Sequence, residues 1–356
     1  MLILKRHKPL IINNDGTIIS YFKGSIFLLT SDGSIYKKVC TLPTTYLFGV
    51  LSKFRLFERL FRLEPRCAVL IEENLLLLSY RGSCFRVDID NGKVEVEIKY
   101  RDGMANPLFF SVINDIDGMQ RSIVFGDYWG NPDRDVVKIY IRFLGRNSKW
   151  SVLTEFSAGE VTHIHNIVED IKRDRLLILT GDSDSESAIW EYSLSDPHPK
   201  KIVGGSQLYR ACSCYVDGDY LFYGTDSPQE INYLVRLCLK TLEVRKLAIL
   251  EGPIIYSTKT NRNFIFSSSV EADSSLKGWR YLVSRKHGPG IKSYDSVVYS
   301  FDGYNTIELG RYNKDIYPMG LFQFGSVSFC TSDNFEHVYA YGMSVDDVDG
   351  KMFKLN

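Results

Sequence analysis

Apolar and polar positions alternate with a period of two along most of the chain, in short runs bounded by turn residues. The runs 10–13, 17–21, 25–29 and 35–40 are separated by Asn14-Asp15-Gly16, Lys23-Gly24 and Ser31-Asp32-Gly33, whose glycines suit hairpin turns. Together they predict one four-stranded antiparallel sheet. The rhythm returns at 67–71, 75–80, 84–88 and 94–100, with Asp90-Asn91-Gly92 as a turn, then at 108–113, 122–127, 136–142 and 150–156. It continues at 162–168, 175–180, 188–193 and 200–203, then at 209–216, 220–223, 233–239 and 244–250, and less regularly over 252–310 and 317–354. A unit of roughly fifty residues holding four short strands predicts an all-β fold, a single β-propeller domain over residues 1–356. Seven blades are expected, or six if 252–354 divides differently. Pairing of the first residues with the last strands would close the ring and remove exposed sheet edges.

One segment breaks the period. Residues 46–63 place Leu and Phe among Arg and Lys partly at helical spacing. This reads as an amphipathic surface segment or a strand leading into the next blade, and no function attaches to it.

Composition narrows the classes. The chain has 43 basic and 43 acidic residues, so no global field recruits nucleic acid. Seven cysteines, at 40, 67, 84, 212, 214, 238 and 330, form no C-x-x-C pair and no zinc spacing, and read as small buried hydrophobes in a reducing compartment. The start, Met1-Leu2-Ile3-Leu4-Lys5-Arg6-His7-Lys8, has the wrong order for a signal peptide, and no window approaches the ~20 apolar residues of a membrane span. A cytoplasmic protein is expected, although a secreted mature form would look the same. The 22 Tyr and 21 Phe are explained first by packing between blades. P-loop, dinucleotide, nucleophile-elbow and H-E-x-x-H motifs are absent from the sequence.

Candidate chemistry gathers between Gly159 and Asn232. His163 and His165 flank Ile164, so on a strand both imidazoles share a face, where they can chelate a metal or divide into a base and an orienting donor. Thr180-Gly181-Asp182-Ser183-Asp184 and Gly224-Thr225-Asp226-Ser227-Pro228 each end an apolar run. Asp182 and Asp226 are therefore pocket candidates, and Asp184 a turn residue. Asp127-Tyr128 and Glu271 repeat the arrangement on other blades, and Asn232 sits on the exit loop after Asp226. In Gly204-Gly205-Ser206-Gln207-Leu208-Tyr209-Arg210, the Arg fork suits a carboxylate or sulfate and Gln207 suits sugar hydroxyls. The competing reading pairs Arg210 with Asp182 or Asp226 of a neighbouring blade.

Several turns look like degenerate Asp-boxes. Ser31-Asp32-Gly33-Ser34-Ile35-Tyr36 and Ser300-Phe301-Asp302-Gly303 carry parts of the motif, and Trp150 stands at its final position in the Arg142–Trp150 stretch without the Asp. With F-G-D-Y-W-G-N-P at 125–132, H-I-H-N at 163–166, T-G-D-S-D at 180–184, G-S-Q-L-Y-R at 205–210 and G-T-D-S-P at 224–228, the chain resembles BNR-repeat, sialidase-like propellers of carbohydrate contexts. The similarity covers under half of the chain. It lacks the three-arginine clamp, an N-terminal R-I-P and the Tyr/Glu nucleophile pair of sialidases. A second, looser resemblance, to propeller polysaccharide lyases, implies His, Tyr and Arg acting next to a uronate carboxylate, sometimes with a metal held by His and Gln.

The expectation is a carbohydrate-active propeller acting on an acidic glycan as a lyase or glycoside hydrolase. His163, His165, Arg210 and Tyr128 are its catalytic candidates. Asp127, Asp182, Gln207, Tyr209, Asp226, Asn232 and Glu271 are its substrate-binding candidates. A divalent metal at His163, His165 and Gln207 is the cofactor expectation. The alternative is a noncatalytic propeller that binds a glycan or a protein through the same mouth.

Overall fold

The computed structural model describes residues 2–114, 116–334 and 337–355. Its strands form seven four-stranded antiparallel sheets, the blades of a seven-bladed propeller. The innermost strands are Lys8–Ile12, Ala68–Glu72, Ser111–Ile113, Ile164–Asp170, Ala211–Asp217, Ile254–Lys259 and Ser326–Thr331. Leu2–Lys5 pairs antiparallel with Met352–Lys354 as the outermost strand of the seventh blade, so the ends of the chain close the ring as expected.

Burial explains the sequence pattern blade by blade. The second strands Leu75–Tyr80, Ser122–Gly126, Phe264–Ser268 and Val338–Met343 are buried at every position, because both sheet faces pack against neighbouring blades. Outer strands such as Ile35–Thr41 and Thr306–Asn313 are largely exposed and carry the polar residues. The blades also approach closely at glycines. A Cβ on Gly126 would lie 2.3 Å from the Ile164 side chain, and one on Gly224 would lie 2.2 Å from that of Ile254. Each glycine ends the second strand of its blade where the next blade's inner strand begins, which is why a glycine recurs just before the candidate acids.

Alternating strand direction sorts the loops onto two faces. Connections between second and third strands, and between blades, share one face, the mouth face. The turns between third and fourth strands lie opposite, and these include the Asp-box-like ones. There Asp32 Oδ1 accepts from the Ser34 amide (2.9 Å), and Asp302 Oδ1 accepts from the amides of Tyr304 (2.8 Å) and Asn305 (2.7 Å). These turns hold hairpins together and stand away from the mouth.

The segment 46–63 forms two short helices on the mouth face, α1 (Tyr46–Leu51) and α2 (Arg55–Leu60), rather than a strand. Its polarity is inverted relative to an ordinary surface helix. Glu58 and Arg59 are buried, whereas Leu47, Phe54, Phe57 and Phe61 are exposed. Ion pairs draw the charges inward: Arg55 reaches Glu58 (3.0 Å), Glu64 (2.8 Å) and Asp349 (2.8 Å), and Arg59 reaches Asp315 (2.6 Å). Two further helices, α3 (Gly278–Val283) and α4 (Met319–Phe322), interrupt blade six and the passage to blade seven. They account for the weaker rhythm after residue 252. Among the described residues no helix is long and apolar enough to cross a membrane.

Candidate functional site

Strand ends and loops from several blades converge on a cavity of about 420 Å³ at the mouth of the central channel. Tyr128, His165, Asp182, Arg210, Asp226 and Glu271 line it, so six of the residues singled out in the sequence share one opening. A volume of this order suits a small ligand.

The two histidines are locked by the main chain. His163 Nδ1 donates to the Trp129 carbonyl (2.8 Å) and His165 Nδ1 to the Ala211 carbonyl (3.0 Å). With those protons placed, both free Nε2 atoms carry lone pairs, and they face each other at 3.1 Å. A shared proton or a cation relieves that contact. Asp182 stands beside them, its carboxylate oxygens 3.6 Å from His163 Nε2 and 3.7 Å from His165 Nε2. Burial lowers the pKa of His163 to about 4 against the opposing pull of Asp182. Burial would raise Asp182, but the two imidazoles beside it and the Arg210 guanidinium 3.1 Å away outweigh it and hold the carboxyl well below the usual range. Asp182 also adopts φ 94°, a strained setting for a residue with a side chain, of a kind that collects at functional sites.

Arg210 is committed to protein partners. It reaches the Asp182 carboxylate (3.1 Å) and the Asp182 carbonyl (3.2 Å), and its Nε lies 3.4 Å from Asp226. Of the two roles weighed for it, pairing with the neighbouring acids is the one observed, and the expected carboxylate clamp is occupied from within. Asp226 is buried, and one of its oxygens, Oδ1, has no hydrogen-bond partner. The other accepts from the Cys212 thiol (3.1 Å), which burial pushes well above the usual thiol range. Burial and the nearby Asp226 raise Glu271 to about 8, and Ser269 Oγ donates to it (2.6 Å). Burial likewise raises Tyr128 far above the ordinary phenol value, so its hydroxyl keeps its proton. Its ring lies 4.5 Å from that of His163.

The remaining candidates stand behind this wall. Asp127 accepts from the Lys138 amide (3.0 Å) and pairs with Arg101 (3.4 Å), organising its own loop. Gln207 donates to the Asp182 carbonyl (3.1 Å) and to Asp184 (2.9 Å), supporting the Asp182 loop from outside the cavity. Asp182, not Gln207, is thus the third group beside the imidazoles, and His163, His165 and Asp182 offer donor atoms close enough for a divalent cation. Tyr209 lies in the short helical turn Gln207–Tyr209 and does not reach the cavity. Asn232 accepts from Thr225 (3.0 Å) and the Ser227 amide (2.9 Å) and donates to the Ser227 carbonyl (2.7 Å), which fixes the Asp226 loop.

The structure adds residues that sequence reasoning missed. Lys8, Arg62 and Arg66 also line the cavity, with Tyr256, Asn106 and Gln323. Arg62 and Arg66 belong to a segment whose charges look like an ordinary solvated face, so only their spacing four apart could have marked them.

No family model matches this chain, and no curated protein matches it. Solved structures match its fold. An oligogalacturonate lyase in complex with manganese is similar over 98% of this chain and 90% of its own, with a TM-score of 0.56 and 10% identity. The WD40 β-propeller domain of Doa1 matches over 100% and 96%, with a TM-score of 0.55 and 12% identity. The extracellular domain of a one component system from B. thetaiotaomicron matches 95% of this chain, with a TM-score of 0.54 and 12% identity, and the chain spans 38% of that structure's length. At these identities the likeness establishes the seven-bladed propeller and nothing finer.

Proposed function

We propose that the mouth is the active site of a carbohydrate-active enzyme that cleaves an acidic glycan by acid–base chemistry. One observation carries this reading: a single cavity is lined both by groups that accept a proton and by groups that hold one. His165 Nε2 and the ionised Asp182 can accept a proton, while Tyr128, packed beside the histidines, and Glu271 hold theirs near neutral pH. Opposed protonation states of this kind are what an acid and a base require.

In an elimination, His165 Nε2 takes the proton next to a sugar carboxylate, and the Tyr128 hydroxyl gives one to the leaving oxygen. Hydrolysis is the second reading, favoured by Glu271 at about 8. There Glu271 is the acid, and the ionised Asp182 lining the same cavity is the base that activates water. A divalent cation at His163, His165 and Asp182 would neutralise charge on the ligand, but the same two Nε2 atoms then cannot accept a proton. The oligogalacturonate lyase likeness is consistent with the elimination and carries no weight beyond the fold.

The test is a screen of acidic polysaccharides with wild type and His165→Ala. Unsaturated ends that disappear in His165→Ala support elimination. Reducing ends without unsaturation support hydrolysis. Binding without product from any polymer overturns the enzyme reading in favour of a noncatalytic glycan-binding propeller.

A further inference from the structure

Several arginines of the mouth face are already paired. Arg55, Arg59, Arg101, Arg134 and Arg210 each pair with at least one carboxylate. Arg62 and Arg66 have no hydrogen bond or ion pair from their guanidinium groups among the described residues. The nearest aromatic contact of Arg66 is the Tyr256 ring, 5.6 Å from its guanidinium carbon. Glu64, between them in sequence, is no substitute, because it accepts from Arg55 (2.8 Å) and from the Tyr341 hydroxyl.

Both arginines nevertheless line the cavity, and Lys8 joins them as a third cation. Lys8 Nζ spends one hydrogen bond on the Pro65 carbonyl (2.7 Å), which fixes the ammonium beside the Arg66 segment. Arg66 is anchored too, since its amide donates to the Ser79 carbonyl (3.0 Å). Arg62 closes α2 in the left-handed region, at φ 51°. Arg62 is exposed at the rim of the cavity and Arg66 is half-buried within it. Cations gathered in a partly dehydrated cleft are costly unless something negative joins them.

We propose that Arg62 and Arg66, with Lys8, form an oxyanion subsite that binds the carboxylate or sulfate of the ligand, the role Arg210 cannot take. Guanidinium forks match both groups with paired hydrogen bonds. The subsite shares one cavity with His165, Asp182 and Glu271, so an anion seated there leaves the rest of a sugar-sized ligand within that cavity beside the proton-transfer groups. This deepens the reading of the mouth as an acidic-glycan site and rests on it for the word glycan, but not for the anion.

The experiment is calorimetric titration of the full chain with glucuronate, inorganic sulfate and neutral glucose. Glucuronate is expected to bind, sulfate to compete with it, and glucose not to bind measurably. Arg66→Gln and Arg62→Gln should each weaken glucuronate about tenfold or more, the cost of losing a charge-assisted pair. Arg311→Gln, which removes a charge on an outer strand, should change nothing. The subsite is overturned if glucuronate binds equally to Arg66→Gln and wild type, if sulfate does not compete, or if glucose binds as well. Should Arg66→Gln fail to fold, sulfate competition and Arg62→Gln decide. Anion binding that survives where no polymer is cleaved would retain the subsite and remove the enzyme reading.

Discussion

The Nε2 atoms of His163 and His165 face each other at 3.1 Å while each ring's Nδ1 proton is held by a backbone carbonyl. Neither ring can turn its proton toward the other without breaking that bond, so two lone pairs face each other, a contact that a shared proton or a cation would relieve. Burial lowers the folded pKa of His163 to about 4, whereas an unfolded histidine titrates near the ordinary 6.5. As pH falls through this window the unfolded chain binds a proton that the fold refuses, and stability is lost. The thermal midpoint of wild type should therefore drop between pH 6.5 and 4 more steeply than that of His163→Gln. Parallel curves for the two proteins would remove His163 as a cause.

Chelation separates the two uses of the imidazoles. If His165 is the base, exhaustive dialysis against EDTA leaves product formation intact. Loss of activity that Mn²⁺ restores, together with a metal-dependent rise in melting temperature absent from Asp182→Asn, would reassign both histidines as ligands.

Glu271 predicts the opposite slope on the alkaline side. Its folded pKa is raised from 4.5 to about 8 by burial and by Asp226, so the unfolded chain ionises first as pH rises. Stability from this group is lost progressively between those values. Glu271→Gln removes the titration, and it should gain on wild type in urea unfolding at pH 8 but not at pH 4.5. Under the hydrolysis reading, turnover should also fall above about pH 8, where the acid loses its proton.

Gly224 tests the packing between blades. A Cβ there would meet the Ile254 side chain at 2.2 Å, and the backbone on either side is held in a strand pair. Gly224→Ala should destabilise by about 1–3 kcal/mol, the usual cost of overpacking. Chemical denaturation measures it. Gly218→Ala is the comparison, since that glycine has nothing near its Cβ position, although its φ of 57° adds local strain. Equal losses in the two variants would show backbone conformation, rather than contact with Ile254, as the cause.

The sequence by itself determined the architecture. The period of two, the glycine turns and the repeat of four strands are local properties, and they suffice for a propeller of seven or six four-stranded blades closed by the first strand; the irregular stretch after 252 left the number to the structure. The pocket was partly legible for the same reason. His163 and His165 alternate along one strand, and Asp182, Asp226 and Glu271 follow second strands that all end on one face. Tertiary structure decided the rest. Arg210 has the same side chain whether it meets a ligand or Asp182 and Asp226, and only the approach of neighbouring blades makes it a partner of those acids. Gln207 and Asn232 proved to be loop supports, because their amides find carbonyls that other parts of the chain supply. Arg62, at the end of the amphipathic segment, and Arg66, just after it, carried no signal beyond their spacing, since an arginine in such a stretch is ordinarily solvated. Their distinction is the lack of a carboxylate partner, a fact about neighbours distant in sequence, and no local pattern encodes it.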